Sequence, residues 1–494
     1  MDNINSNHST PLLKNIDIDE NSPVTFFGKL WEENKMVWYI AGPSILTSIF
    51  QLSLGFVTQT LAGHIGTLEL AAVGLQNLVI SGLIFGIMMG MGSALETLCG
   101  QAYGAGKMKM LGIYLQRSWV ILLGAAVLLT LIPIFAKPLL LLLGQNRDIA
   151  ELAGTYSIWM IPESYMYALN FPMQRFLQAQ SKVRALAWIS FGVMVFHIPL
   201  SWFCIMKWGL AGAAGSLNLS WVLVVILQYA YISSPSCKDS WTGFSWLAFS
   251  DLLGFLWLSL ASSVMLCLEY WNYMVLIIFA GLLKNAEVKV DATSICMNIQ
   301  ALIFMVPLGF IAAVSVRVSN ELGAGNAAAA KFSVWVTVSI ALVTQTAFSL
   351  LFYITRNSYP KLFTDDKAVL QEVSMLTVLL CTSIFFSSIQ PVLSGMAVGA
   401  GWQGSVAYVN VVSYYLIGLP IAIFMGFKLD WGLKGIWGGV QVGVGLQTII
   451  LLIMAWRTDW DKEIELSKER ISDAVGSNES ADVSGKFIGN SLWI

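Results

Sequence analysis

Long runs of apolar residues, separated by short polar stretches, dominate this sequence. A run of about twenty apolar residues is long enough to cross the hydrocarbon core of a membrane as a helix. The chain contains twelve such runs, which predicts twelve transmembrane helices. They lie near residues 36–60, 69–95, 111–135, 149–174, 184–206, 211–232, 250–279, 289–315, 330–354, 368–394, 405–426 and 435–456.

The second half of this pattern repeats the first. A Gly-Ala-Gly turn at residues 104–106 closes the second run, and another at 323–325 closes the eighth. The offset that carries Gly104 onto Gly323 also carries Pro172 onto Pro391. Landmarks that recur in the same order indicate a duplicated unit. Since each unit has an even number of helices, both enter the membrane from the same side, which predicts a pseudo-two-fold axis along the membrane normal.

We therefore predict an all-α membrane protein whose twelve transmembrane helices form two six-helix lobes. The N-terminal lobe covers 36–235, and a linker with the C-terminal lobe covers 236–456. Residues 1–35 are expected to form a cytosolic tail and an interfacial helix, and 457–494 a second cytosolic tail, disordered from about 462. A modest excess of Lys and Arg on the side of both termini favours this orientation. Duplicated membrane units are usually transporters.

Composition excludes several other classes of protein. Apolar residues make up 56% of the chain and charged residues 11%, too few to solvate the surface of a soluble domain, which has about 25%. The net charge of −2 argues against a nucleic-acid partner, because no basic face could neutralise phosphates. The sequence has no enzyme signature, no metal-ligand spacing and no phosphate-binding Gly-Lys-Ser/Thr loop. We therefore predict no cofactor and no enzyme activity, and expect transport to run on a gradient.

Acidic residues inside apolar runs are functional candidates, because inserting one costs about 2.5–3.5 kcal/mol. Glu269 lies well inside the seventh run, with no Lys or Arg nearby in sequence. Burial favours the neutral form of a carboxyl, so Glu269 is either a proton carrier or a hydrogen-bonded structural residue. Glu163, directly after Pro162, is either a second proton or cation site or a glutamate that reaches water. Glu96 and Glu321, beside the Gly-Ala-Gly turns, are expected to be solvated at capped helix ends.

The candidate substrate-binding residues are amides in the apolar runs and aromatic side chains close to Glu269. Amides beside helix-breaking prolines can bind a ligand or satisfy freed backbone groups, and other amides within helices more commonly hydrogen-bond between helices. Aromatic rings suit a flat aromatic substrate and add cation–π contacts if it is charged. The candidates on these grounds are Asn170, Tyr270, Trp271, Tyr273, Asn298 and Gln390.

Several longer stretches resemble one known family. They are Gly-His-Ile-Gly at 63–66, Ala-Leu-Glu-Thr-Leu-Cys-Gly-Gln-Ala-Tyr-Gly at 94–104, Asn-Phe-Pro at 170–172, Met-Leu-Cys-Leu-Glu at 265–269, Arg-Val-Ser-Asn-Glu-Leu-Gly at 317–323, Gln-Pro-Val-Leu-Ser-Gly at 390–395 and Tyr-Val-Asn at 408–410. In these stretches the chain resembles the plant branch of the multidrug and toxic compound extrusion (MATE) family. The likeness covers about residues 36–456.

This resemblance implies a two-lobed secondary transporter that exchanges protons for organic solutes across a lipid bilayer. The chain looks most like members that load flavonoids or alkaloids into the plant vacuole, so we expect the vacuolar membrane, with the plasma membrane as the alternative, and a monomer. Glu269 matches the family's proton-binding glutamate on helix 7. Many relatives place an acidic partner on helix 10, where this chain has Ser387. Relatives tend to have an uncharged residue where Glu163 stands.

Two other kinds of transporter are alternatives to the antiporter. One is a facilitator that moves solutes without protons. The other is a flippase for lipid-linked precursors from the same superfamily, which would need basic residues in its cleft to bind a phosphate head group. The apolar runs offer no such residues.

Overall fold

The computed structural model describes residues 26–280, 283 and 286–472, without the side chains of 273, 275, 277, 278, 280, 286 and 287. Within these ranges the long elements are all helices. We number the twelve that match the predicted runs as α1 (Phe26–Ala62), α2 (Thr67–Gly104), α3 (Met108–Ile134), α4 (Arg147–Trp159 and Ile161–Ala179), α5 (183–208), α6 (210–232), α7 (Leu252–Ala280), α8 (Ala286–Gly323), α9 (Ala327–Ile354), α10 (Lys367–Ala400), α11 (Gln403–Lys428) and α12 (Gly432–Arg457).

Two local irregularities explain why length and hydropathy identify ten candidate spans in the described residues, although twelve helices match the predicted runs. Ten helical stretches in the described residues are long and apolar enough to cross a membrane. One of them, Val183–Ile232, has 50 residues, and Gly209 divides it into α5 and α6 with a φ of 57° and a ψ of −133°. Glycine adopts this conformation because it has no Cβ. The remaining crossing, α4, is interrupted at Met160 and carries Glu163 and Arg175.

Most of the apolar core of each half comes from its own helices, and two of the clusters also include residues of the other half. The core of α1–α6 includes the buried side chains of Leu95, Tyr114 and Phe176. The second half has two clusters, one around Phe310 and one around Trp437. Burial of apolar side chains stabilises each half. Phe255 in the first cluster, and Val37 and Ile40 in the cluster around Phe310, extend this burial across the contact between the halves. This arrangement agrees with the predicted two six-helix lobes.

The halves approach each other backbone to backbone where α2 and α8 end. Gly104 packs against the carbonyl group of Asn320, and Gly323 packs against the carbonyl group of Gln101. These are the same contact with the roles exchanged, because the offset that relates Gly104 to Gly323 also relates Gln101 to Asn320. Such an exchange is characteristic of a two-fold axis. We call residues related by this offset counterparts, and we call the end of the bundle where α2, α8 and α10 finish the contact end.

The axis passes between pairs of counterparts that touch. Gly100 faces the side chain of Ser319, its counterpart, and a Cβ at Gly100 would collide with the Ser319 hydroxyl. Glu96 lies beside the side chain of Ser315, which is its counterpart in the second half. The repeat that the sequence shows is therefore a true pseudo-symmetry of the fold.

Side-chain hydrogen bonds close the contact end further. The Gln101 side-chain Nε2 donates to the carbonyl of Gly399 at 3.2 Å. The Asn320 Nδ2 donates to the carbonyl of Ala179 at 3.2 Å. Each bond joins an amide of one half to the end of a helix of the other half, α10 or α4. The hydroxyl of Thr97 also donates across the interface, to the α10 backbone.

Two buried ion-pair clusters lie at the contact end. Arg317 donates to both carboxylate oxygens of Glu33, each at 2.9 Å, and reaches Glu321 at 2.8 Å. Arg175 lies 3.1 Å from the carboxylate of Glu96. The expectation that Glu96 and Glu321 are solvated is therefore wrong. They are 1% and 7% exposed, because an arginine neutralises each of them within the protein.

The N-terminal end of the described chain differs from the expectation. The predicted interfacial helix is not a separate element, since the residues from Phe26 onward belong to α1, which continues unbroken to Ala62. Glu33 and Val37 are buried there, while Phe26, Phe27 and Trp31 are exposed, so one face of this segment packs against protein. The predicted tail over residues 1–25 lies outside the described residues.

The C-terminal segment is also more helical than expected. Residues 460–472 form a helix after α12, although the sequence predicts disorder from about 462. Trp460 is buried, and the Arg470 Nη1 donates to the carbonyl of Ala400 at 2.9 Å. Packing against the end of α10 thus outweighs the polar composition of this segment. Residues 473–494 lie outside the described residues.

A first prediction concerns the glycine contacts at the contact end. We expect Gly104→Ala to destabilise the folded protein by about 1–3 kcal/mol, the usual cost of overpacking, because the new Cβ would collide with the Asn320 carbonyl. The measurement is the thermal unfolding of the purified protein in detergent. Gly86→Ala on the same helix is the control, since no atom lies within 4 Å of its Cβ position. Equal unfolding temperatures for the two variants would contradict the packing argument.

Candidate functional site

The Glu269 side chain lies among α7, α10, α11 and α12, all in the C-terminal half. Its Oε1 accepts a hydrogen bond from the Ser394 hydroxyl at 2.9 Å. It also accepts from the Asn410 Nδ2 at 3.4 Å and from the Gln447 Nε2 at 3.5 Å. One oxygen of the carboxylate is thus bound by a neutral donor from each of three neighbouring helices.

A second layer of hydrogen bonds orients these donors. The Gln390 Nε2 donates to the Ser394 hydroxyl at 3.1 Å. The Gln447 Nε2 donates to the Asn410 Oδ1 at 2.6 Å, and the Tyr414 hydroxyl donates to the Gln447 Oε1. Connected hydrogen bonds in a low-dielectric interior fix the position of every member. Hydrogen bonds therefore connect Glu269 to α10, α11 and α12.

Local helix geometry brings the α11 residues to this network. A π-helical stretch, Val411–Gly418, begins directly after Asn410. A π-helical turn adds a residue to the helix and rotates the positions that follow. Tyr414 then points to Gln447, while the Tyr415 hydroxyl donates to the carbonyl of Leu268 on α7 at 3.0 Å. The π-helical stretch thus directs two successive tyrosines to two different helices.

Ser387 belongs to a separate polar cluster, two helical turns before Ser394 on α10. It accepts a hydrogen bond from the Gln300 Nε2 at 3.1 Å and donates to the carbonyl of Ser383 at 2.9 Å. The Ser383 hydroxyl accepts from the indole of Trp437 at 2.8 Å and from Gln441. The position where many relatives have an acid is therefore a neutral hydrogen-bonding site that joins α8, α10 and α12.

The N-terminal half holds two of the polar candidates, Asn170 and Glu163. Asn170 is fully buried, and its Oδ1 accepts from the Gln228 Nε2 of α6 at 2.9 Å. Glu163 is 3% exposed and accepts from the Ser81 hydroxyl at 2.8 Å. Both residues are on α4, and neither takes part in the hydrogen bonds described around Glu269.

The remaining candidates are less closely tied to Glu269. Tyr270 and Trp271 follow it on α7 and are 51% and 48% exposed, so their rings lie at the surface of the described chain. Asn298 is exposed, and the buried amide of α8 that reaches α10 is Gln300. The side chain of Tyr273 lies outside the described residues.

The sequence alone did not identify the residues that bind Glu269. Ser394 and Asn410 stand in stretches that resemble the MATE family, and no role followed from that resemblance. Gln447 had a signal of its own, since an amide deep in an apolar run needs a partner. In the described part of the chain, no group of three or more His, Cys, Asp or Glu side chains could hold a metal ion.

The comparison with known families decides the identity of the fold. The MatE family model matches residues 43–203 and 261–424, which together cover most of the chain. The chain belongs to the MATE family. It is accordingly a membrane transporter of the multidrug and toxic compound extrusion type, and its relatives are not enzymes.

Individual relatives support this assignment over nearly the whole chain. Protein DETOXIFICATION 33 of Arabidopsis thaliana is 53% identical over 450 residues, which are 90% of this chain and 93% of that protein. Protein DETOXIFICATION 29 of the same plant is 50% identical over 467 residues, 93% of each chain. These values place the chain with the plant members.

Solved structures agree with the fold. The eukaryotic MATE transporter AtDTX14 superposes with a TM-score of 0.85 at 33% identity, covering 90% of this chain and 99% of that one. The Vibrio cholerae MATE transporter VcmN in the bent form has the same fold, with a TM-score of 0.76 at 18% identity, covering 89% of this chain and 98% of that one. The predicted twelve-helix, two-lobe architecture is confirmed.

A second prediction concerns the network around Glu269 in this MATE transporter. We expect Asn410→Leu to lower the free energy of unfolding by about 1–3 kcal/mol for each buried group left unpaired, because Asn410 also donates to the carbonyl of Met265 at 3.1 Å. Thermal unfolding in detergent measures the loss.

Gln345→Leu on α9 is the matched control. Gln345 is fully buried, and neither its Oε1 nor its Nε2 has a hydrogen-bond partner among the described residues. Replacing an unsatisfied buried amide with an apolar group of similar size is nearly neutral or stabilising. If both variants lose the same stability, the hydrogen bonds of Asn410 are not what stabilises the site.

Proposed function

We propose that this transporter is a proton-coupled antiporter of organic solutes, with Glu269 as its proton-binding group. The observation that carries the proposal is the environment of the Glu269 carboxylate, which is bound by neutral hydroxyl and amide donors. Among the ion pairs of the described residues, none includes Glu269. A carboxylate in a low-dielectric site without a cation is expensive. Proton uptake removes that cost and makes Glu269 suitable for reversible proton binding.

Protonation of Glu269 would change the hydrogen bonds that join four helices. An ionised carboxylate only accepts hydrogen bonds, whereas a protonated one also donates. Ser394, Asn410 and Gln447 would therefore have to rearrange, and they are on three different helices. A substrate that favours the ionised arrangement is then released when a proton binds. A coupling free energy of about 1–3 kcal/mol is typical of such linkage.

Alternating access would expose this site to each side of the membrane in turn. The halves in this structure are joined at the contact end, where glycine contacts, amide hydrogen bonds and ion pairs connect them. Rocking of the halves about the pseudo-two-fold axis would open this end and close the opposite one. In this mechanism the two lobes form the two walls of a central cleft, which opens to one side of the membrane and then to the other.

The proposed substrates are flavonoids, alkaloids or other secondary metabolites and xenobiotics. The names of the Arabidopsis thaliana relatives, DETOXIFICATION 33 and 29, support removal of toxic compounds. Aromatic faces suit planar or cationic solutes, and amides and hydroxyls suit their polar groups. We propose the vacuolar membrane as the location, with the plasma membrane as the alternative, and a monomer as the working unit. The proposed contact residues are Asn170, Tyr270, Trp271, Tyr273, Asn298, Ser387 and Gln390.

The central prediction is that Glu269→Gln abolishes proton-driven exchange without unfolding the protein. Glutamine keeps the size of the side chain and mimics its protonated form. We expect uptake driven by an imposed pH gradient in proteoliposomes to fall about tenfold or more, which corresponds to about 1.4 kcal/mol per tenfold. The substrates tested would be a flavonoid glycoside, a cationic alkaloid and a neutral phenolic.

Glu465→Gln is the control, because Glu465 is exposed on the helix over residues 460–472. It should transport like the wild type. Uptake that does not depend on the gradient, and that Glu269→Gln leaves intact, would identify a facilitator and overturn the proton mechanism.

A further inference from the structure

Glu163 is a buried carboxylate on α4, in the N-terminal half, whereas Glu269 lies on α7 in the C-terminal half. It lies in the first turn of the second part of α4, Ile161–Ala179, and is 3% exposed. None of the ion pairs among the described residues includes it. By contrast, the buried carboxylates Glu33 and Glu96 are each paired with an arginine. Glu163 is therefore buried without a positively charged partner among the described residues.

Neutral polar groups surround the Glu163 carboxylate. The Ser81 hydroxyl donates to its Oε2 at 2.8 Å, and the polar groups of Tyr167 and Trp221 also face it. The titratable groups that face it are the phenols of Tyr156 and Tyr167, both neutral at physiological pH, on α4. The positive end of the helix dipole at Ile161 favours a negative charge in this turn. The site can therefore hold either the ionised or the protonated form.

Aromatic rings close the site off. The ring of Tyr167 packs edge-on against Trp221 at 5.0 Å and against Phe85 at 5.4 Å, and Phe171 lies 5.7 Å away. The Tyr156 hydroxyl is buried without a hydrogen-bond partner among the described residues. A proton binds to the carboxylate itself and needs no further space. An enclosed site of this kind therefore suits a proton better than a bulky ligand.

The partner of Glu163 stands on an unusual part of α2. Ser81 is the last residue of a π-helical stretch, Gln76–Ser81, and the Gln76 Nε2 donates to the Ser81 hydroxyl at 2.7 Å. π-helical turns are less regular than α-helix and often mark functional sites. Beyond this stretch, α2 carries Gly100 and Gly104 to the contact end. The Ser81 hydroxyl thus connects Glu163 to a helix that joins the two halves.

We propose that Glu163 is a second proton-binding site, in the N-terminal half, and that Ser81 transmits its protonation to α2. A protonated Glu163 donates instead of only accepting, so the Ser81 hydroxyl turns away and the π-helical stretch rearranges. The contacts of α2 with the other half then depend on the proton. Because this site does not involve Glu269, the proposal can be tested separately from the proposed antiport mechanism.

Infrared difference spectroscopy on a pH titration of the purified full chain tests proton binding directly. We expect a carbonyl band of a protonated carboxyl that titrates in the wild type, persists in Glu269→Gln and disappears in Glu163→Gln. Glu151→Gln, an exposed acid on the same helix α4, is the control and should keep the band. A Glu163→Gln spectrum identical to that of the wild type would overturn the proposal.

Hydrogen exchange tests the transmission to α2, and its first measurement uses only the wild type. We expect amide exchange of residues 76–82 in the wild type to change with pH, about tenfold beyond the intrinsic pH dependence of exchange. Ser81→Ala should abolish this change while keeping the Glu163 carbonyl band. Exchange in this segment that follows only the intrinsic pH dependence in the wild type would refute the role of Ser81.

Discussion

The fold depends on one close approach, in which the backbones of α2 and α8 touch without side chains between them. Only glycine permits this distance, because a Cβ at Gly104 or Gly323 would occupy the place of a facing carbonyl oxygen. The two contacts are counterparts under the repeat, so a single duplicated sequence feature both builds the interface and defines its axis. The hydrogen bonds of Gln101 and Asn320 reach the opposite half only because the backbones lie this close.

The pseudo-symmetry holds at this interface and fails at the carboxylates. Arg175 pairs with Glu96 in the N-terminal half, whereas its counterpart in the C-terminal half is Ser394, which donates to Glu269. The counterpart of Glu163 is Thr382. Duplication thus produced two halves with similar helices. Differences between counterpart residues, such as Arg175 and Ser394, determine which carboxylate has a counter-charge. A carboxylate with an arginine beside it is neutralised within the protein, while one among neutral donors has no counter-charge.

The sequence predicted the helices well because spanning a bilayer imposes length and apolarity on every crossing. It predicted side-chain partners poorly because these come from distant parts of the chain. Arg317 meets Glu33 across 284 positions, and no local pattern shows that such a charge is neutralised. Rotation of a helix is equally invisible in a fully apolar run, so the sequence favours Asn298 on α8 where Gln300 makes the contact. Glu269 was identifiable because an acidic residue in the middle of an apolar run is visible in the sequence whatever its partners are.

The ion pair of Arg317 and Glu33 also constrains how the halves can move. Glu33 is on α1 and Arg317 on α8, so this pair connects the two lobes at the contact end. Separating a buried pair leaves uncompensated charges at a cost of about 3–5 kcal/mol. Any rocking motion that opens this end must therefore let water reach both groups or give them new partners. Glu321, 2.8 Å from Arg317 and in the same half, remains beside the arginine in either case. Glu33 alone would have to be solvated, and its place near the beginning of α1, close to the end of the helix, makes that possible.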